Sequence, residues 1–278
     1  MARKINNKLI DRMIHGDLFP LLNYIKFNKI DLRLEVRQAG KAFVYYKKNK
    51  ALDLGLRSYN IDGKYFENNK KPADMRDKVV DDPKQYFKDT LSVMDKWLYK
   101  HPKKEFETQQ NIARDNQEKN DRYIILDMEY NFSQRAIKKS QRVKKAGFDL
   151  LGIERQTGKI IFFEVKKGLK ALTGKAGIKT HIEDFEECLY GRNKDKFRNN
   201  LIIDINNIVK DKNKLGLIDH FDKLVNITID DFELIFVFEP VACDKDDYLK
   251  LYKEEHQKSG SMRSYRTIYV SKNNFKLT

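Results

Sequence analysis

The sequence predicts an α/β protein of the mixed-sheet, α+β kind, with a small N-terminal α+β module ahead of a larger sheet domain flanked by helices. Three observations carry this. Short apolar or alternating runs recur at residues 32–37, 42–46, 123–129, 148–154, 159–166 and 232–238, as strands require. Apolar residues at helical spacing mark helix faces: Leu9, Ile10 and Met13; Phe87, Leu91, Met94 and Leu98; Phe197, Leu201, Ile205 and Ile208. The chain has 278 residues, 40% hydrophobic and 12% aromatic, enough to bury the core of one large domain or two modest ones.

The N-terminal part reads as helix, then hairpin. Asp17 is placed to cap a second short helix with Pro20 in its first turn. Leu32–Arg37 and Ala42–Tyr46 form strands joined by a turn at Gln38–Lys41, and Ala51–Leu56 adds a third. The polar stretch Ser58–Asp82 lacks periodicity and reads as a connector. The predicted organisation is therefore an accessory module and linker over 1–82 and a main domain over 83–278. That domain opens with a helix near Pro83 and a second over Lys104–Gln117.

Strands then follow at Tyr123–Glu129, Phe148–Glu154 and Lys159–Lys166, the last two joined through Gln156-Thr-Gly158. Thr180-His-Ile-Glu183 has the spacing of a capping box, so a helix is expected to begin there. A longer helix carries Phe197 to Ile208. Phe232–Phe238 is a buried fourth strand, and a helix near Asp247–His256 and a strand near Arg266–Val270 complete the chain.

The formal net charge is +15, which favours a polyanionic partner because neutralising phosphates releases counterions. Cys188 and Cys243, the only cysteines, give neither zinc spacing nor a disulfide framework. No run approaches the roughly 20 apolar residues of a membrane span, so the expectation is a soluble, cytoplasmic protein with no membrane partner.

The chemistry concentrates in the central hairpin. Alternation points Ile160, Phe162, Glu164 and Lys166 one way and Ile161, Phe163 and Val165 the other. Asp149 and Lys166 are about equally distant from the turn, which sets Asp149 near the level of Glu164 and Lys166. Two carboxylates suit a hard cation such as Mg²⁺ (or Mn²⁺), which keeps waters and takes few protein ligands; the Val165 carbonyl is a further candidate ligand. Bound metal polarises a phosphoryl oxygen and acidifies water. Lys166 can orient that water or offset transition-state charge.

Phe148-Asp-Leu-Leu-Gly-Ile153, a turn, and Ile160-Ile-Phe-Phe-Glu-Val-Lys166 resemble the PD-(D/E)xK nuclease superfamily over roughly residues 104–240. Phe148 stands where many members have proline. The resemblance implies a restriction-endonuclease-like core of helix, three strands, helix and strand. It also implies Asp149 and Glu164 as metal ligands and Lys166 as the catalytic lysine. Many members carry a further upstream carboxylate; Glu129, at the end of a strand, is preferred here over Glu107 on the preceding helix.

Basic residues flank this hairpin. Lys138, Lys139, Arg142, Lys144 and Lys145 precede it; Lys167, Lys170, Lys175 and Lys179 follow it. Lys144, Lys145, Lys167, Lys170, Lys175 and Lys179 are the candidates for tracking a nucleic-acid backbone. The glycine- and lysine-rich stretch Gly168–Gly177 fails the spacing of a nucleotide-binding P-loop, with Leu169 and Ala176 at two defining positions. His181 and Asp184 lie one helical turn apart beside that stretch, placed to face a phosphate or to assist the site. His15, His101, His220 and His256 form no metal spacing.

The expected activity is a metal-dependent nuclease, with DNA favoured over RNA, and a homodimer is compatible with cutting two strands. A non-catalytic nucleic-acid-binding protein of the same fold, or a subunit of a defence or repair complex, is the alternative. The basic N-terminal hairpin offers a surface for substrate or another subunit.

Overall fold

The computed structural model describes residues 2–102, 104–132, 146–218, 232–241 and 245–278. Lys138, Lys139, Arg142, Lys144 and Lys145, together with His220 and Cys243, lie outside the described residues. The chain is mixed α/β with two sheets. It divides into two compact units, Met1–Gln110 with Asp204–Phe221, and Asn111–Ile203 with Asp222–Thr278.

In the first unit, Asn6 caps α1 (Asn7–His15) by accepting from the Lys8 N–H, and Leu9, Ile10 and Met13 are buried as the spacing predicts. Pro20 sits in the first turn of α2 (Phe19–Phe27), but Asp17 does not cap it. Arg12 takes that carboxylate instead, through Nε at 2.8 Å and a second nitrogen at 2.6 Å. A guanidinium fork binds a carboxylate more strongly than a lone backbone N–H does.

Strands β1 (Leu32–Val36), β2 (Ala42–Tyr46), β3 (Asn49–Leu54) and β4 (Tyr59–Asn60) form an antiparallel sheet in that order. The β2–β3 turn is Lys47-Lys48, both left-handed at φ 47° and 54°, with Tyr46 opposite Asn49. Gln110 holds it by accepting from the Lys48 N–H while donating to the Asp31 carbonyl.

The stretch expected as a plain connector contains β4, 3₁₀ turns at Gly63–Tyr65 and Glu67–Asn69, and helix α3 (Met75–Asp81). Met75, Val79 and Tyr65 are buried there, so scattered apolar residues anchor what composition alone presents as loop. Helix α4 (Pro83–Lys100) is capped by Asp82 through the Gln85 N–H. It packs within this unit: Tyr86 donates to the Ala51 carbonyl at 2.7 Å, and Phe87 stacks on Tyr24. These contacts carry the first unit past the expected division at residue 82, and α5 (Lys104–Asp115) spans its end at Gln110.

A charged cluster is buried on β1. Glu35 takes Lys212 at 2.6 Å and also Arg33. Lys212 belongs to α7 (Lys194–Lys214), whose residues from Asp204 onward count with this unit. On the same helix Asp204 and Asp211 accept from the backbone N–H groups of Arg3 and Ile5, each at 2.7 Å.

The second unit is built on five strands in chain order, β5 (Tyr123–Asn131), β6 (Gly147–Glu154), β7 (Ile160–Lys167), β8 (Phe232–Glu239) and β9 (Arg266–Tyr269). The first three are antiparallel neighbours; β8 runs parallel to β7, and β9 parallel to β8. Helices α6 (Ile178–Tyr190) and α7 lie between β7 and β8 in sequence, and α8 (Lys245–Ser259) between β8 and β9. Parallel neighbours need such crossovers.

As the middle strand, β7 is buried from Ile160 through Lys166. The β6–β7 hairpin closes as predicted, with Gly158 at φ 74°, the Glu154 N–H donating to the Lys159 carbonyl and the Gly158 N–H to the Glu154 carbonyl. Gly152 has no room for a side chain: a Cβ there would lie 2.8 Å from the Ile124 carbonyl oxygen. Phe132, Phe148, Phe162 and Phe185 form an aromatic cluster in this unit, with Phe148 and Phe162 centroids 4.9 Å apart. Among the described residues, no helix is long and apolar enough to cross a membrane.

Candidate active site at the end of the central strand

The β6–β7 register runs Ile153–Ile160, Gly152–Ile161, Leu151–Phe162 and Leu150–Phe163. One further step sets Asp149 opposite Glu164. The ladder does not simply continue there: the Asp149 carboxylate itself accepts the Val165 N–H at 3.0 Å. Asp149 therefore grips the backbone between the two residues of the Glu-x-Lys motif.

Alternation also breaks at this level. A regular β6 would put Phe148 on the face of Leu150 and Phe163, yet its ring packs against Phe162 and Phe185. On β5, Tyr130 makes the matching change of side and meets Phe162. At that level on β5, Glu129 is left-handed at φ 58°. The simple two-face reading of the hairpin thus holds along β7 but not across Asp149.

Glu164 and Lys166 do share a face. Lys166 Nζ donates to Glu164 Oε1 at 2.8 Å and to the Ala176 carbonyl at 2.7 Å. Each residue is only 3% exposed, so the pair sits away from solvent. His181, on the first turn of α6, brings Nε2 to 2.9 Å from the same Glu164 oxygen, an ion-pair separation without hydrogen-bond alignment. Burial opposes ionisation of Glu164, but the Lys166 ammonium and the His181 ring outweigh it and hold the carboxyl down at about 2. Glu164 is thus an anion over the whole neutral range.

Its other oxygen, Oε2, is buried and has no hydrogen-bond partner among the described residues. Leaving a charged acceptor so costs about 1–3 kcal/mol or more unless something else takes it. A hard divalent cation fits that need, because oxygen is its preferred donor. Among the described residues no three His, Cys, Asp or Glu side chains form a ready ligand cluster. A cation held here would use Glu164 with Asp149 and the backbone at Val165, and fill its remaining positions with water and substrate.

No protein-family model matches this chain, nor does any curated protein or solved structure.

Glu129 falls across β5–β6 from Asp149, between the rungs Met128–Leu150 and Tyr130–Phe148. Glu107 is exposed on α5, in the part counted with the first unit. Lys167 is engaged by Glu239 at 2.8 Å, its register partner on β8. Lys170 and Lys175 are exposed on the segment after β7, and Lys179 lies 3.7 Å from Glu183.

That segment is shaped by glycine. Gly168 and Gly174 are left-handed at φ 82° and 81°, and a Cβ on Gly177 would meet the Leu172 carbonyl oxygen at 2.6 Å. Gly177, not Thr180, is the N-cap of α6, so the expected capping box is absent. Thr180 lies inside the helix and reaches back to the Gly174 carbonyl. The glycine turn has already set the helix start three residues earlier. His181, paired in the sequence with Asp184 one helical turn on, lies against Glu164.

Proposed function

We propose that this chain is a divalent-metal-dependent nuclease that hydrolyses phosphodiester bonds of nucleic acid, with DNA favoured over RNA. The observation that carries the reading is Glu164: a buried, ionised carboxylate with one oxygen held by Lys166 and the other without a hydrogen-bond partner among the described residues. The order of helix, three antiparallel strands, helices and a strand parallel to the third supports a PD-(D/E)xK, restriction-endonuclease-like core. The net charge of +15 supports a phosphate-rich partner.

In this reading Glu164 and Asp149 hold Mg²⁺ or Mn²⁺, with the Val165 carbonyl as a further ligand. The metal, when bound, polarises the phosphoryl group and makes its water more acidic. Lys166 holds the attacking water in place and offsets the charge gathering on the phosphoryl oxygens. The water oxygen bonds to phosphorus and gives up a proton to solvent, the backbone P–O bond breaks, and the leaving oxygen takes up a proton from solvent. Asp149, through its bond to the Val165 N–H, keeps the Glu-x-Lys backbone in register with β6.

One observation favours the alternative, a non-catalytic nucleic-acid-binding protein: the Lys166 ammonium is already engaged by Glu164 and Ala176. Cleavage decides between them. The full chain is incubated with single- and double-stranded DNA and RNA, with Mg²⁺ or Mn²⁺ and with a chelator. The nuclease reading expects cleavage that the chelator and Glu164→Gln abolish and that Lys166→Ala lowers by about 100-fold or more. Salt-sensitive binding without cleavage of any substrate, or undiminished cleavage by Lys166→Ala, overturns it.

A further inference from the structure

The His181 ring is nearly enclosed, with its side chain 12% exposed, and neither ring nitrogen makes a hydrogen bond among the described residues. An imidazole of this kind costs stability unless its place beside Glu164 repays it. Its position is closely determined. Gly168, Gly174 and Gly177 turn the chain from the end of β7 into α6. Lys166 fastens that turn through the Ala176 carbonyl. The ring lies 6.2 Å from Phe148, the neighbour of Asp149.

Both neighbours of Glu164 act on one oxygen. Lys166 Nζ lies 2.8 Å and His181 Nε2 2.9 Å from Oε1, while Oε2 has no hydrogen-bond partner among the described residues. A glutamate held by a single flexible lysine can still swing about its last torsion. A second, helix-borne group on the same oxygen removes that freedom and fixes the direction of the other.

We infer that His181 is a positioning residue: together with Lys166 it fixes Oε1 of Glu164, so that Oε2 is the oxygen presented to a divalent cation. This rests on the metal-dependent reading above and adds a residue outside the Asp, Glu and Lys of the motif. Groups that orient a metal ligand typically change affinity by about 10–100-fold when removed.

The test reads metal binding alone, without nucleic acid. Full-length chain is titrated with Mn²⁺, and the free-ion electron paramagnetic resonance signal reports binding. Wild type is expected to bind and Glu164→Gln to lose the site. His181→Ala should bind about 10–100-fold more weakly. His181→Asn, polar but too short to reach Oε1, should be similarly weak and serves if the alanine variant does not fold. His181→Gln, whose amide N–H can reach the same oxygen, should recover most of the affinity. Wild-type affinity in His181→Ala or His181→Asn overturns the inference, as does a His181→Gln as weak as either, since that indicates a role in ring packing only. A wild-type chain that binds no Mn²⁺ overturns the metal reading, and this inference with it.

Discussion

Glu129 stands across the β5–β6 ladder from Asp149, and both strands lose their regular alternation at that shared level. A glutamate at φ 58° carries backbone strain of about 1–2 kcal/mol that glycine would not. Glu129→Gly should therefore leave thermal stability unchanged or raise it by up to about 1 kcal/mol. If Glu129 is the further upstream carboxylate that the motif resemblance implies, the same change should weaken Mn²⁺ binding. Thermal denaturation and Mn²⁺ titration of the one variant check both; unchanged affinity would reduce Glu129 to a bend in a strand.

Lys166→Ala removes the ammonium nearest Glu164 and should lower the cleavage rate by about 100-fold or more, as loss of one preorganised donor does elsewhere. It should also cost about 3 kcal/mol of stability, because a buried carboxylate loses its cation. Single-turnover cleavage and urea denaturation separate the two effects. A stability loss with full activity would make Lys166 a structural residue.

Lys170 and Lys175 are exposed beside the site, whereas Lys167 is tied to Glu239. Lys170→Glu and Lys175→Glu should each weaken duplex binding and flatten its dependence on log salt by about 0.9 per lost phosphate contact. Lys167→Ala should instead act chiefly on stability. Binding isotherms across a salt series distinguish them.

Acid should loosen the first unit through Glu35. Burial opposes its ionisation, but Lys212, Arg33 and Arg37 outweigh that and hold the carboxyl down to about 2, against an ordinary 4.5. The folded chain thus binds this proton less readily than the unfolded one. The stabilisation is complete above about pH 4.5 and disappears as pH falls toward 2. Glu35→Gln should flatten this acid limb and lower stability at neutral pH by roughly 3 kcal/mol, since Lys212 is left buried without its carboxylate. Urea denaturation between pH 7 and 3 measures both.

Much of the second unit was legible because its strands are long apolar runs and its β6–β7 turn carries Gly158. The faces of α1 and α7 were legible for the same reason: Leu9, Met13, Leu201 and Ile205 end fully buried. The Lys47-Lys48 turn was not, since neither residue has turn chemistry and Gln110 and Asp95, distant in sequence, hold it. Thr180 and Glu183 showed the pattern of a cap, but Gly177 had already started the helix. At the site, Glu164 with Lys166 followed from alternation alone. Asp149 did not, because alternation breaks at its level and its carboxylate takes the Val165 N–H instead.

The acceptors for Arg3 and Ile5 stand 201 and 206 positions later in the chain. During synthesis, Arg3 and Ile5 must wait for about 200 further residues before Asp204 and Asp211 exist to receive them. Contacts that far apart form slowly. The β1–β2 hairpin can pair early, but its unit closes only once α7 has left the ribosome, so Arg3 and Ile5 reach their native partners late although they are made long before them.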